Sequence, residues 1–539
     1  MRSKMFFPRL TAVILVILAT LGASRYADAQ PAGTNPQITS VTQVWPRPYQ
    51  TIQISGSGFG SLRPYDGDSA YIVITDLTQN WSAGHTGDAV TLNVGTWSDS
   101  LISISYFDGA YGTANQSLLA GDIVSIEVWN AQTGAGPGKA QVTVLADDTA
   151  VFSFPGGTGV RGAVGGIITD SSGNFYGLGG GGVYYAGTAY EVSETNGVWS
   201  ESVLYNFPFV NYGTGAVGNL LRDPAGNLYG VTDGGGTYTS ECYEGCGSIF
   251  EITGGTEVVL HTFGAEAGDG EVPKAGLTMD AAGNLWGTTA GGGLEWGTIY
   301  ELTPNGSGGW NYSTVYEFQG GAADGAEPHS ALTLDSAGNL YGTTYAGGGT
   351  QYCFTYASGC GTVFKLSPSA SGVTESIIHA FKGTANGVQP TTGVTFDDSG
   401  NLYGVTYNGG SPCSTRYSDG CGVVYLLLPQ SNGTWKEKTL YNFGSDYTNV
   451  DGSIYPIGQL TYYNGALYGF AGGGASQYGT IYQLTFSNNT WSLSTTYSFG
   501  GGLDGGCPVG SPIFGTDGTL YGVASCGGAT YDGVIFSLP

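Results

Sequence analysis

Gly-Asn-Leu-Tyr-Gly at Gly226–Gly230 is the stretch that decides the fold, because the chain returns to it. It begins at Gly173 with Phe for Leu, at Gly283 with Trp for Tyr, and unchanged at Gly338 and Gly400. It decays to Gly-Ala-Leu-Tyr-Gly from Gly465 and Gly-Thr-Leu-Tyr-Gly from Gly518. These copies lie 53 to 65 residues apart. A period of that length in a Gly-rich, β-rich chain predicts propeller blades set around a ring.

Each period reads as four short strands. In the third, Ala275–Asp280 is strand a, and Asp280-Ala-Ala-Gly283-Asn284 is a hairpin turn whose Asp, Gly and Asn supply turn bonds and positive φ. Strand b follows from Leu285 and is broken by Gly291-Gly-Gly293. Strand c spans Gly297–Thr303 and strand d Trp310–Phe318, both rich in residues that suit a pleated surface. In strand d, Trp199 and Phe207, Trp310 and Phe318, Trp435 and Phe443, and Trp491 and Phe499 are each eight residues apart. Even spacing predicts both rings on one strand face, packed between blades. A row of ligand-stacking aromatics is the alternative use.

The register at the two ends predicts how the ring closes. The last copy stops at strand c, Gly533–Leu538. An orphan strand d, Ala150-Val-Phe-Ser-Phe154, precedes the first strand a and resembles Thr314–Phe318. Pairing the two completes a seventh blade and removes two sheet edges. The expected fold is all-β, with an N-terminal sandwich before a seven-bladed propeller over residues 148–539.

Residues 1–29 read as a secretory signal: Arg2, Lys4 and Arg9, then the apolar Leu10–Leu21, then Ala27-Asp28-Ala29 before Gln30. An uncleaved anchor is the alternative; no other apolar run is long enough to span a membrane. Residues 30–35 read as a linker. Over residues 36–146 the strands alternate without the blade motif. Thr51-Ile-Gln-Ile-Ser-Gly56-Ser-Gly58-Phe59-Gly60 and Thr96-Trp97-Ser98-Asp99-Ser100-Leu101-Ile-Ser-Ile resemble the IPT/TIG group of immunoglobulin-like domains. That resemblance implies a β-sandwich used as a spacer, adhesion module or dimerisation surface. Gly56-x-Gly58-x-Gly60 lacks the strand–turn–helix setting of a nucleotide loop.

Formal charge is −26, from 41 acidic against 15 basic residues. This excludes nucleic acid and anionic lipid surfaces as natural partners. Of eight cysteines, Cys242/Cys246, Cys353/Cys360 and Cys413/Cys421 occupy the same slot before strand c. Three pairs in one slot of an exported chain predict local disulfides, zinc being the competing reading. In a meandering blade the b–c loop and the d–a connection emerge at the same end. Cys507, in a d–a connection, and Cys526, in the next b–c loop, then form a fourth bridge.

The ordered recurrence of Asn-Leu-Tyr-Gly-x-Thr-x-x-Gly-Gly, Gly-Thr-Ile/Val-Phe/Tyr-x-Leu and Tyr-x-Phe over about Thr149–Pro539 resembles the GloVer (Gloeo/Verruco) tandem repeat of bacterial exported proteins. The resemblance implies export, and surface attachment through C-terminal anchors, although no anchor follows Pro539. It implies no catalytic residues.

Chemistry is sparse. His261 and His379 fill a strand-d slot held elsewhere by Tyr205, Tyr316, Tyr441 and Tyr497, which reads as packing. His85 reads as a loop residue. Asp170, Asp223, Asp280, Asp335 and Asp397 open the a–b turns. A second set opens the connections between blades: Asp269, Asp324, Asp451 and Asp504, with Asn386 in their place once. Turn chemistry accounts for them, or they form a ring of oxygens at a channel mouth. No cofactor is expected; a calcium ion is what such a ring could hold. With His329, the four acids are the candidate ligand contacts. No nucleophile–His–acid set can be assembled.

Two function classes remain. One is an exported non-enzymatic binding or adhesion protein for a carbohydrate or other surface polymer. The other is a propeller hydrolase or lyase using paired carboxylates. An enzyme would gather unique polar residues at one mouth, and the candidates are Arg161, Arg222, Glu271, Lys274, Glu295, Glu327 and His329.

Overall fold

The computed structural model describes residues 35–538, apart from residues 43, 45–48, 63–64, 66, 112–115, 117, 119–121, 145–149, 209–214, 241, 354–358, 370–371, 384–385, 411–419, 445–452, 475–476 and 488. The signal segment, Cys413 and Asp451 lie outside the described residues.

Eight strands come first: β1 (Gln37–Val41), β2 (Tyr49–Ser57), β3 (Ile72–Asp76), β4 (Trp81–Ala83), β5 (Val90–Trp97), β6 (Leu101–Gly109), β7 (Ile123–Val128) and β8 (Gly138–Thr143). They form one continuous sheet in the order β1-β2-β6-β5-β4-β3-β7-β8. Val44 bridges Val144 where the ends meet, so the sheet is a nearly closed barrel. Alternation drives Ile52, Ile54, Ile102 and Ile104 to full burial inside it. The glycine run is explained by its own chain. The Gly58 and Gly60 N–H groups, both residues at positive φ, donate to the Asp99 carboxylate at 3.4 and 3.0 Å. The anion this nest cradles is a side chain of the domain itself.

The rest of the described chain forms seven blades whose sheets run in the order a-b-c-d; in two of them strand a is in two pieces, and beside the third Gly270–Glu271 pairs separately with Gly291–Gly292. In the third, strand a is Thr278–Met279, b Leu285–Thr289, c Thr298–Pro304 and d Trp310–Glu317. The seventh is Gly506–Phe514, Leu520–Cys526, Val534–Leu538 and then β9, Ala150–Ser153, from the other end of the chain. Val534 faces Ser153, Ile535 faces Phe152, and the Phe154 N–H donates to Gly533 O at 3.0 Å. The ring closes as the register predicts.

The repeated motif is built from hydrogen bonds and one steric requirement. Asp335 accepts from the N–H groups of Ala337 and Asn339, from Asn339 Nδ2 and from the Tyr341 hydroxyl, all within 3.1 Å. Asp280 does the same, with Trp286 Nε1 standing in for the hydroxyl at 3.0 Å, so Trp replaces Tyr without losing the donor. Burial alone would raise these two carboxyls; the donated bonds outweigh it and hold them below the usual range. The final Gly faces a ring from strand c: a Cβ on Gly287 would stand 2.2 Å from Tyr300 Oη, and one on Gly230 2.4 Å from Phe250 Cζ.

Strand a is interrupted in blades 1, 3, 4 and 5, where only two residues pair beside the a–b turn, and continuous over 7 to 11 residues in blades 2, 6 and 7, where it bulges toward the axis. There the innermost segments of adjacent blades touch: a Cβ on Gly458 would lie 1.6 Å from Gly510 O. Thr278, Thr333, Thr395 and Thr461 each donate an Oγ1 hydrogen bond to a strand-a carbonyl of the next blade: Leu332, Val394, Leu460 and Pro512.

The Trp and Phe of strand d do not share a face, contrary to the even-spacing expectation. Every c–d pair has a β-bulge at one position, as between Ala189/Tyr190 and between Ile299/Tyr300. The extra residue reverses the alternation. Trp310 therefore packs with Tyr229 and Tyr300 toward the preceding blade, and Phe318 with Phe364 toward the following one. Packing between blades is still their role, and each strand d serves two interfaces.

Tyr190, Tyr300, Tyr425 and Tyr482 are wholly buried, and their hydroxyls have no hydrogen-bond partner among the described residues. Phe250, Phe364 and Phe536 hold the same slot in the other blades. Changing the four Tyr to Phe is expected to stabilise the fold by about 1 kcal/mol each, the desolvation cost of an unpaired hydroxyl, read from denaturant unfolding. Burial raises all four phenol pKa values. Their stabilising contribution is complete below the unfolded value near 10 and falls as pH rises above it. The quadruple variant should therefore lose stability less steeply between pH 9 and 11; a steeper loss, or a less stable variant, would show that the hydroxyls are satisfied.

Candidate functional rim

The b–c loops and d–a connections do emerge at one rim. Cys507 and Cys526, one from each kind of loop, are bridged with Cα atoms 5.6 Å apart. Cys242–Cys246 and Cys353–Cys360 are also bridged, and Cys421 is disulfide-bonded, with its expected partner Cys413 outside the described residues. Glu271 lies beside Cys242 and Cys246, but sulfurs bonded to one another have no thiolate to offer a metal. Closing the 19-residue separation of Cys507 and Cys526 should contribute about 3 kcal/mol by chain entropy. The double Ala variant is expected to lose that much in denaturant unfolding; an unchanged midpoint would show that the bridge is not formed.

The Asp residues of the d–a connections point into their turns. Asp324 accepts from the Gln319 and Gly325 N–H groups and from the Tyr316 hydroxyl, within 3.0 Å. Asp504 accepts from the Gly500 and Gly502 N–H groups and the Tyr497 hydroxyl. Asp269 meets His261 Nε2 at 3.1 Å and accepts from the Ala265 and Gly270 N–H groups. All three are at most 7% exposed. His261 thus does the work of Tyr316 and Tyr497, tying the end of strand d to the next connection, beyond the packing role its slot suggests. Where Asn386 replaces the Asp, His379 Nε2 has no partner among the described residues. These acids shape the rim; their carboxylates do not face its opening.

Around each mouth position the repeat can be compared with itself. The residue after strand b is Gly180, Asp233, Ala290, Tyr345, Tyr407, Gly472 and Ser525 in the seven blades. The fold tolerates anything here, yet blades 4 and 5 carry Tyr. His329 stacks on Tyr345 with centroids 4.9 Å apart and planes at 20°, and Tyr407 stacks on Tyr455 of the next blade at 5.0 Å and 20°. Tyr345 and Tyr407 hold the same slot in adjacent blades, and burial, then the Glu327 charge, raises the Tyr345 phenol. Two stacked pairs, four rings in all, thus span blades 4 to 6. Tyr407 is 43% exposed and the others are half-buried.

The flanks are polar. Lys274 Nζ lies 3.1 Å from Asp233 Oδ2, a partly exposed pair of small energetic weight. Burial, then the nearby Lys274 charge, pushes the His329 imidazole down to about 4, so it is neutral at pH 7. Burial raises the Glu327 carboxyl.

Glu327 and Tyr455 share a further slot. The residue before the connecting Pro has φ between 53° and 55° at Glu327, Tyr455, Val272 and Cys507. For a β-branched residue such as Val272 this is a strained backbone. It is held by an N–H bond to the preceding blade, as from Glu327 to Trp296 O at 2.9 Å and from Val272 to Cys246 O at 2.9 Å.

Of the seven departures expected to converge in an enzyme, Lys274, Glu327 and His329 do meet here. The others scatter. Arg161 lies over Tyr185 at 5.6 Å elsewhere on this rim, and Arg222 over Tyr176 at 5.3 Å beside an a–b turn. Glu271 accepts from Thr239 by the first disulfide, and Glu295 is exposed in a b–c loop. Tyr345, Tyr407, Tyr455 and Asp233 were visible as departures once each slot is compared across blades.

This rim also carries exposed apolar side chains: Tyr185, Tyr243, Leu503 and Tyr531 are between 70% and 78% exposed. Fold and rim together define a closed, disulfide-stiffened propeller with an aromatic face. The chain belongs to the Gloeobacter/Verrucomicrobia repeat family, whose repeat matches residues 136–356 and again 349–539. No curated protein matches it. Among solved structures it is similar to an auxiliary nutrient binding protein from Bacteroides thetaiotaomicron, at 12% identity over 94% of this chain and 98% of that one, with a TM-score of 0.37. It is also similar to a protein from Lactobacillus plantarum (15% identity, 70% and 98% covered, TM-score 0.40) and to a fungal alcohol oxidase of the AA5 family in complex with copper (11%, 70% and 75%, 0.40). At these scores the likenesses carry no functional argument.

Proposed function

We propose that this is an exported, non-enzymatic binding or adhesion protein that holds an extracellular polymer, carbohydrate or surface protein, at the rim bearing the b–c loops. In this reading the N-terminal domain is an immunoglobulin-like spacer of the IPT/TIG kind. The observation that carries it is the gathering on one rim of exposed aromatic side chains that blade-building does not require. Such rings on stiff loops are the usual currency of recognition. Three disulfides suit an oxidising compartment and hence export. The hydrolase reading is weaker, because Asp269, Asp324 and Asp504 are committed to their turns and leave no open carboxylate pair among them.

The test is a panel of extracellular polysaccharides and surface proteins passed over the immobilised protein. Retention without turnover supports the reading. Polysaccharide cleavage products would replace it with the hydrolase, and retention of nothing would remove it.

A further inference from the structure

We infer that the ring row His329–Tyr345–Tyr407–Tyr455 is a subsite for a neutral, extended polysaccharide. This rests on the binding reading above and names its ligand class.

Geometry comes first. Two stacked ring pairs stand on blades 4 to 6, each pair within 20° of parallel, and Tyr407 is 43% exposed. An extended chain of pyranose rings presents flat faces of C–H groups at regular intervals. Aromatic faces bury such surfaces, and their negative quadrupole favours the polarised hydrogens.

The second argument is the repeat. Tyr345 and Tyr407 stand where other blades hold Gly, Ala, Ser or Asp, and His329 where they hold Val164, Val217, Lys274, Thr391, Ile457 and Val509. The blades close without rings at these positions, so the rings are not there to close them.

Charge selects among polysaccharides. The chain carries −26 overall, and the cation beside the row, Lys274, is paired with Asp233. An acidic polysaccharide would meet repulsion from the net charge, and among the described residues the cation beside the row is already paired. A neutral one meets uncharged rings with hydrogen-bonding edges: the Tyr hydroxyls, the His329 nitrogens and Glu327. Few oriented polar groups beside apolar faces is the ordinary make-up of a small-ligand site.

Affinity gel electrophoresis tests this with the full chain. The neutral probes are hydroxyethyl cellulose, xyloglucan and galactomannan; the acidic ones are alginate and polygalacturonate. Retardation is expected in at least one neutral gel, unchanged at high salt, and absent in both acidic gels. Tyr407→Ala should weaken retardation about tenfold, in the range of an aromatic hot spot, while Tyr407→Phe keeps it. Tyr345→Ala is half-buried, so its thermal midpoint is read alongside. Phe486→Ala, which removes an exposed aromatic at a c–d turn on the opposite end of the propeller, should bind like the parent.

Neutral-chain retention that survives Tyr407→Ala overturns the subsite. Salt-sensitive retention of the acidic polymers overturns the ligand class. In both cases rim binding still stands. Retention of no polysaccharide overturns the inference outright, and capture of a surface protein in the earlier panel then decides separately whether the binding reading survives.

Discussion

Phe154→Ala is expected to cost about 4 kcal/mol, as large as any single core truncation, although the residue lies almost 400 positions from the strand it completes. Phe154 is wholly buried and meets Tyr190 edge-on at 5.0 Å. It joins Val160, Val523 and Ile535 in the cluster that seals the last blade to the first. Losing it leaves a cavity at the one place where the ring has no covalent continuity. Phe486, 52% exposed, is the control: its Ala variant should stay within about 0.5 kcal/mol. Denaturant unfolding measures both. If the two variants unfold together, β9 does not close the propeller.

The second large effect separates two glycines four residues apart. Gly287→Ala should cost about 3 kcal/mol, because the new Cβ would stand 2.2 Å from Tyr300 Oη and 2.4 Å from its Cζ. Tyr300→Phe should not rescue it, since the ring carbon remains. Gly283→Ala meets nothing within 4 Å, but its φ is +85°. Its cost should be about 1 kcal/mol, purely conformational. Equal losses at the two sites would mean that the clash relaxes by moving strand c.

Much of this architecture is legible in the sequence because it rests on short-range rules. Asp-x-x-Gly-Asn is a turn wherever it occurs, since its bonds join residues at most six apart. Blade count, the displaced strand d and the shared end of Cys507 and Cys526 follow from counting strands between turns. The two features that counting misread both depend on phase. Alternation assigns Trp310 and Phe318 to one face until one extra residue between them reverses it. The pattern likewise assigns residues 275–277 to strand a, whereas the paired strand begins only at Thr278.

What the sequence by itself determined is the blade: its strands, its turns, its disulfide slots and the strand that closes the ring. Each is set by interactions within one period or by a register the period makes countable. Only the tertiary structure decided which way the connection acids face and which residues meet at the mouth. Asp324 turns inward because a tyrosine from the end of strand d is waiting for it. His329 meets Tyr345, and Tyr407 meets Tyr455 of the next blade, in two stacked pairs that span three blades. Their proximity comes from ring closure, which packs distant segments side by side, and no local propensity encodes that distance.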